Sequence, residues 1–386
     1  MGNRSIPYGR QCIDDEDIAA VVEALRSDWL TTGPRVEEFE RAFADAVGAR
    51  EAVSVSSGTA ALHAATFAIG IGPGDEVIVP AMTFAASANC VVFQGGTPVF
   101  ADVDPETLLL SVDSAASRIT SRTKAILAVD YAGQPCDYDA LRGLADSRGL
   151  RLIADGCHAL GGRYHDRQVG TLADLTAFSF HPVKHITTGE GGMVTTDDPQ
   201  LAKRMRGFRN HGLSNDSRQR EREGSWYYEM VELGYNYRLT DFQCALGTAQ
   251  LRRLPGWIRR RQELATRYDL AFTPETGIRP LQTAPGVTHA RHLYVVRVDG
   301  DRAAVFRALR EQRIGVNVHY IPVHLHPFYR ARFGTGPGLC PVAEEAYEKI
   351  LSLPMFPGMT DGDGEDVIRS VRKAMDSQRS QVPSGG

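Results

Sequence analysis

The sequence has no closely spaced pair of cysteines: its six, at positions 12, 90, 136, 157, 244 and 340, are scattered over 386 residues. Such spacing offers neither a zinc knuckle nor a disulfide framework, so reduced thiols and a cytoplasmic setting are expected. Apolar runs long enough for a membrane span, about 20 residues, are missing, and MGNRSIPYG lacks the apolar centre of a signal peptide. Met1-Gly2 does not open a myristoylation site, because Ile6 stands where serine or threonine is needed. Neither charge dominates: 43 Lys and Arg against 47 Asp and Glu leave a net charge of -4, with a pI near 6.3. That balance excludes an electrostatic case for nucleic acid or an anionic membrane as partner. No segment repeats. The glycines at 70, 72 and 74, and at 334, 336 and 338, lack the lysine of a P-loop and the strand–helix setting of a dinucleotide loop, and read as turns. His319, His324 and His326 stand without neighbouring carboxylates and with Pro322 between them, so no metal is expected.

What is present is a regular alternation. A helix is expected over Asp14 to Ser27, with Ile18, Val21, Val22 and Leu25 on one face, and a second over Val36 to Val47. Strands follow at Ala52 to Val55, 76–80, Pro98 to Ala101, Lys124 to Asp130 and Leu152 to Ala154, with helices between them. Strands alternating with helices at this spacing imply βαβ units, hence an α/β fold with a mostly parallel central sheet flanked by helices. The polar run 214–226 reads as a mobile loop, and 235–251 as a loop entering a helix capped by Thr240 or Asp241. Composition changes near Pro255. A large domain over 1–255 and a smaller α+β C-terminal domain over 256–376 are expected, with 377–386 a disordered tail. In the smaller domain a helix is expected from Trp257 to Phe272 and strands at Leu293 to Val298 and Val316 to Tyr320. Further helices are expected at Arg302 to Gln312, Ala343 to Leu351 and Glu365 to Met375.

The chemistry concentrates in residues 175–196. Two β-forming runs, Leu175 to Phe180 and Met193 to Thr196, enclose a polar loop with glycines at 189, 191 and 192. Lys184 sits in that loop between Ser179 and His181 on one side and Thr187 and Thr188 on the other. Upstream, the buried run from Leu150 ends in Asp155, where strand-end carboxylates of α/β sheets meet ligands. An aspartate at a strand end with a lysine on a later loop is what a pyridoxal phosphate (PLP) site needs. The amine bonds the cofactor aldehyde and the carboxylate keeps the ring nitrogen protonated. Ser57, Gly58 and Thr59 open a helix, which offers free amides and hydroxyls to an anion. Phe84 stands among small residues at the next helix start, either as core or as a platform for a flat ring.

Taken together, SSGTAAL, TFAASAN, ADGCHALGG, FSFHPVKHITTGEGG and GYNYRLTDFQCALG resemble the DegT/DnrJ-type sugar aminotransferases. These are fold-type-I PLP enzymes acting on nucleotide-linked keto sugars. The resemblance runs from about Tyr8 to the last helix, and within the family it is strongest to the pseudaminic-acid-pathway subgroup. It implies Lys184 as the Schiff-base lysine, Asp155 as the partner of the pyridine nitrogen and Phe84 as the ring-stacking aromatic. It further implies Ser57, Gly58, Thr59 and Ser179 as the phosphate cradle, and Asn236 as a contact to the cofactor phosphate of a neighbouring subunit. A homodimer with shared active sites follows from the resemblance. So does a nucleotide-sugar site at Tyr8, at Asp28, Trp29, Leu30 and Thr31, and at His319, Tyr320, Ile321 and Pro322. L-Glutamate is the implied amino donor and Arg238 a candidate for its carboxylate. The implied acceptor is the C4 carbonyl of a UDP-linked 4-keto-6-deoxy sugar. A dTDP- or GDP-linked keto sugar is the alternative, and a non-catalytic regulator of this fold a further one. Sugar dehydratases of the fold carry histidine in place of the lysine, which Lys184 argues against. Ala154 and Gly156 flank Asp155 where relatives often have an acidic residue and alanine.

Overall fold

The computed structural model describes residues 5–214 and 224–379, so most of the polar run expected to be a loop lies outside the described residues. Two helices come first, α1 (Asp15–Arg26) and α2 (Pro34–Val47). Asp14 caps α1 through a reciprocal box with Asp17, as its position before the periodic run requires. The periodic face of α1 is turned outward, however. Ile18, Val22 and Leu25 are exposed, whereas Asp17 and Ala24 are buried, because Asp17 accepts from Gln250 Nε2 at 2.6 Å and pairs with Arg253.

The sheet strands are β1 (Glu51–Val55), β2 (Glu76–Pro80), β3 (Thr97–Ala101), β4 (Thr123–Val129) and β5 (Arg151–Asp155). After the short β6 (Arg163–Tyr164) and β7 (Arg167–Gln168) come β8 (Leu175–Ser179) and β9 (Gly192–Thr196). The seven-stranded order is β1-β9-β8-β5-β4-β2-β3. Only β9 runs against the rest, pairing antiparallel with both β1 and β8. The parallel strands are apolar through their middles, as strands covered on both faces must be: Val77, Ile78, Val79, Ile126, Leu127, Leu152 and Ile153 are fully buried. Helices α3 (Gly58–Ala68), α4 (Ala86–Phe93), α5 (Val112–Ser117), α6 (Tyr138–Arg148) and α7 (Pro199–Phe208) make the connections.

Helix α8 runs unbroken over Asp241–Ala271, with Pro255 inside it and Thr240 as its cap. The expected start at Trp257 is therefore wrong. Pro255 is exposed, so its ring stands on the solvent side of the helix, and buried Leu251, Leu254 and Ile258 carry the apolar stripe past it. The division we draw between residues 255 and 256 passes through this helix. Beyond it a second apolar cluster gathers Leu264, Tyr268, Tyr294, Val296, Leu351, Leu353 and Val367, together with Ile6 from the N-terminal arm.

Its sheet pairs β10 (Ile278–Pro280), β12 (Tyr294–Val298) and β13 (Ile350–Leu353), while β11 (Val287–Thr288) joins β6. Around it lie α9 (Arg302–Glu311), α10 (Pro327–Phe333), α11 (Pro341–Lys349) and α12 (Asp361–Arg379). Residues 350–353 thus form a strand where the sequence pattern favours the end of a helix. The run is buried throughout and pairs with β12. The expected strand over 316–320 does not form: Asn317 makes one bridge to Ser352, and its side chain then takes the Val318 N–H at 2.8 Å, ending the ladder. The last helix extends through Arg379, so 377–379 are helical rather than disordered. The remainder of the expected tail lies outside the described residues.

Candidate active site

A cavity of about 550 Å³ opens at the carboxyl ends of the parallel strands, the edge where sheets of this class hold ligands. Its wall includes Ser57, Gly58 and Thr59 after β1, Thr83 and Phe84 after β2, Asp155 at the end of β5, and Ser179 and Lys184 after β8. Tyr8, His319 and Tyr320 close it from the arm and the C-terminal unit. Of the residues singled out in the sequence, Asp28, Trp29, Leu30, Thr31, Asn236, Ile321 and Pro322 are not on this wall. Thr31 bridges Thr240 and Asn236 bridges Asn210, and Arg238 donates to Asn210 Oδ1 at 2.9 Å.

The lysine loop is braced by its own polar groups. Thr187 Oγ1 donates to the Phe180 carbonyl at 3.0 Å and Thr188 Oγ1 to the Glu190 carbonyl at 2.7 Å. His185 is fixed by contact of Nε2 with the Ala290 carbonyl at 3.0 Å. Lys184 itself is partly buried, and among the described residues its ammonium has no hydrogen-bond or ion-pair partner. Burial lowers its pKa below that of a free lysine, opposed by Cys157 and Asp155. An amine so placed is biased toward its neutral, nucleophilic form.

Asp155 is buried, and both of its oxygens are engaged: Oδ1 accepts from the Cys157 N–H at 3.1 Å and Oδ2 from Ser87 Oγ at 2.7 Å. Ser57 caps α3 by accepting from the Ala60 N–H, which leaves the first amides of the helix turned to the cavity. Gly58 is required there, since a Cβ would lie 2.7 Å from Ser179 Cβ. Phe84 is 59% exposed, unusual for a phenylalanine in a pocket wall. Two of the cavity imidazoles are biased toward the neutral form. Burial, then the charge of Lys184, pulls His158 well below its ordinary pKa and His319 down to about 4. Sequence reasoning passed over His158, Ser87 and Thr83. Only their short distance from Asp155 and Phe84 along the chain hinted at them.

An anion seat at a helix terminus, an uncovered aromatic face, a buried carboxylate and an unpartnered amine together fit a phosphorylated pyridine aldehyde. Comparison with known proteins identifies the group. Residues 11–372 match the DegT/DnrJ/EryC1/StrS aminotransferase family. The chain belongs to this family.

Among its relatives is the spore coat polysaccharide biosynthesis protein SpsC of Bacillus subtilis, 45% identical over 96% of this chain and 97% of that one. Spr1654 of Streptococcus pneumoniae, assigned as a sugar aminotransferase and solved in its PMP form, superposes with a TM-score of 0.92. It is 34% identical, over 96% of this chain and 99% of the other. PseC of Helicobacter pylori, an aminotransferase of pseudaminic acid biosynthesis, superposes with a TM-score of 0.91. It is 32% identical, over 97% and 100% of the two chains. This member of the family is a PLP-dependent transaminase of fold type I.

Proposed function

We propose that the chain moves an amino group from L-glutamate to C4 of a UDP-linked 4-keto-6-deoxy sugar, UDP-2-acetamido-2,6-dideoxy-β-L-arabino-hexos-4-ulose, a step of pseudaminic acid synthesis. The observation that carries the chemistry is the unpartnered amine of Lys184 in one cavity with the buried carboxylate of Asp155. The structural likeness to PseC supports the sugar. So do the hydrogen-bonding groups of Tyr8, His181, Asn317, His319 and Tyr320, which suit a hydroxyl-rich guest.

PLP, when bound, supplies an electron sink and carries the amino group between the two half-reactions. Ser57, Gly58, Thr59 and Ser179 with the α3 amides would hold its phosphate, and Phe84 would offer the ring a stacking surface. Asp155 would favour a proton on the ring nitrogen by its negative charge. Lys184 Nζ, whose charged form burial disfavours, would take the proton from the donor Cα and deliver one to sugar C4 in the second half-reaction.

The proposal includes a cytoplasmic homodimer with shared sites, in which Asn236 reaches the partner's cofactor phosphate. Asn236 lies off its own cavity wall and follows a segment whose Trp226, Met230, Val231 and Leu233 are all more than half exposed. With the outward stripe of α1 this is apolar surface suited to a second copy. The nucleotide-sugar contacts are assigned to Tyr8, Asp28, Trp29, Leu30, Thr31, His319, Tyr320, Ile321 and Pro322. None of the described helices is long and apolar enough to cross a membrane.

A second reading takes a dTDP- or GDP-linked keto sugar as acceptor: SpsC, more alike in sequence than PseC, is named for spore coat polysaccharide and not for pseudaminic acid biosynthesis. One experiment separates the two. L-Glutamate is used to discharge the visible absorbance of the bound cofactor, and each keto sugar is then tested for restoring it. Restoration by the UDP-linked sugar alone supports the first reading, and by a dTDP- or GDP-linked sugar alone the second. No response to glutamate would remove both.

A further inference from the structure

Ser87 and Thr83 lie behind Asp155 and have no part in the reading above. Ser87, on α4, is fully buried, and Thr83 nearly so. Ser87 Oγ is 2.7 Å from Asp155 Oδ2 and 2.7 Å from Thr83 Oγ1. Proton counting fixes the direction of both bonds. A carboxylate oxygen only accepts, so the single hydroxyl proton of Ser87 is committed to Asp155. The contact with Thr83 must then run from the Thr83 hydroxyl to Ser87 Oγ. Donation from Thr83 polarises the Ser87 hydroxyl and strengthens its bond to the carboxylate. The Ser87 N–H, in turn, donates to the Phe84 carbonyl at 3.1 Å. One turn of chain therefore presents the aromatic ring to the cavity and holds the carboxylate.

We propose that Thr83 and Ser87 form a directed hydroxyl relay that positions Asp155 and keeps its negative charge on the cofactor ring nitrogen. Both are positioning residues, and the proposal rests on Asp155 having the role given it above. Without the Ser87 hydroxyl, one buried oxygen of Asp155 loses its donor. The carboxylate becomes more basic, and the proton shared with the ring nitrogen shifts toward it. The cofactor is then held less tightly and its ring draws electrons less well.

The test is a set of titrations of apoenzyme with PLP, followed by absorbance, on wild type, Ser87→Ala, Thr83→Val, Asp155→Asn and the double variant Ser87→Ala/Asp155→Asn. Melting of each apo form is recorded as a check on folding. Ser87→Ala should weaken PLP about tenfold, the effect of a charge-assisted bond, and Thr83→Val about threefold. The pH midpoint of the bound-cofactor spectrum should move in the same direction in both. In the Asp155→Asn background, Ser87→Ala should change PLP affinity by less than about twofold, because its route of action is gone. Additive effects of the two substitutions, or a Thr83→Val spectrum that titrates like wild type, would overturn the relay. If Ser87→Ala does not fold, Thr83→Val alone decides. An Asp155→Asn variant that binds PLP as wild type does would instead sink the role of Asp155 itself.

Discussion

The hydroxyl of Tyr320 lies 3.1 Å from Nε2 of His158, a hydrogen bond spanning 162 positions of the chain. It ties the turn just after Asp155 to the irregular segment beyond the second apolar cluster. His319, next to Tyr320, packs against Tyr8 with ring centroids 5.5 Å apart. The Tyr8 carbonyl accepts from the Met355 N–H at 3.0 Å. The cavity therefore exists only when the arm, the large sheet and the C-terminal unit are docked, so contacts far from Lys184 bear on its chemistry.

Replacing Lys184 by alanine should leave the fold intact and abolish the visible absorbance of the lysine-bound cofactor. Turnover should fall by at least about a thousandfold, since both a covalent anchor and a proton carrier are lost. Because burial disfavours the lysine charge, the apo variant should melt no lower than wild type at pH 7. Circular dichroism, absorbance spectra and the glutamate half-reaction check this, and a variant with wild-type turnover would end the assignment.

The proposed homodimer with shared sites is tested by mixing subunits. Lys184→Ala and Asn236→Asp should each be nearly inactive as homodimers, the latter because it sets a negative charge against a phosphate. Mixed dimers should regain activity, because one of their two sites then carries neither change. If Asn236 served its own cavity, every site in the mixture would be damaged and no activity would return.

Gly58→Ala should destabilise the protein by about 1–3 kcal/mol, the range for an added methyl with nowhere to go. The new Cβ would meet Ser179 Cβ at 2.7 Å. PLP affinity should fall with stability, because the strain lies at the proposed phosphate seat. Urea unfolding and PLP titration of the same sample measure both.

His63 is buried among Phe93, Phe208, Tyr235 and Tyr237, and burial lowers its pKa to about 4. A histidine depressed in the folded state binds fewer protons there than in the unfolded chain. Its contribution is therefore present above about 6.5 and is lost as pH falls toward 4. Asp17 and Asp130, raised by burial to about 6 and about 7, act in the opposite sense, so the comparison must be made against one variant. His63→Phe should gain stability relative to wild type between pH 7 and pH 5 in denaturant unfolding. A difference that stays constant with pH would contradict this.

Much of the site was legible because its signals are local. Lys184 in a braced polar loop, Asp155 ending an apolar strand and Ser57–Gly58–Thr59 opening a helix are each short patterns whose chemistry follows from neighbours in sequence. The errors share a cause. Pro255 inside α8, the strand at 350–353 and the broken strand at 316–320 are decided by which surfaces are buried and which partners are in reach, and periodicity does not carry that. Arrangement escaped for the same reason: β9 was recognisable as a strand, but not as the one reversed strand between β1 and β8.

What the sequence determined by itself is the set of reactive groups and the α/β alternation, since residue type and hydrophobic period are properties of short segments. What only the tertiary structure decided is their meeting. Tyr8, Phe84, Asp155, Lys184 and Tyr320 share one cavity because the parallel strands deliver their carboxyl ends to a single edge, and packing of two apolar clusters brings the arm and the C-terminal segment over it. The bond from Ser87 to Asp155 belongs to the same class, because a hydroxyl and a carboxylate 68 positions apart meet only once strand and helix are packed.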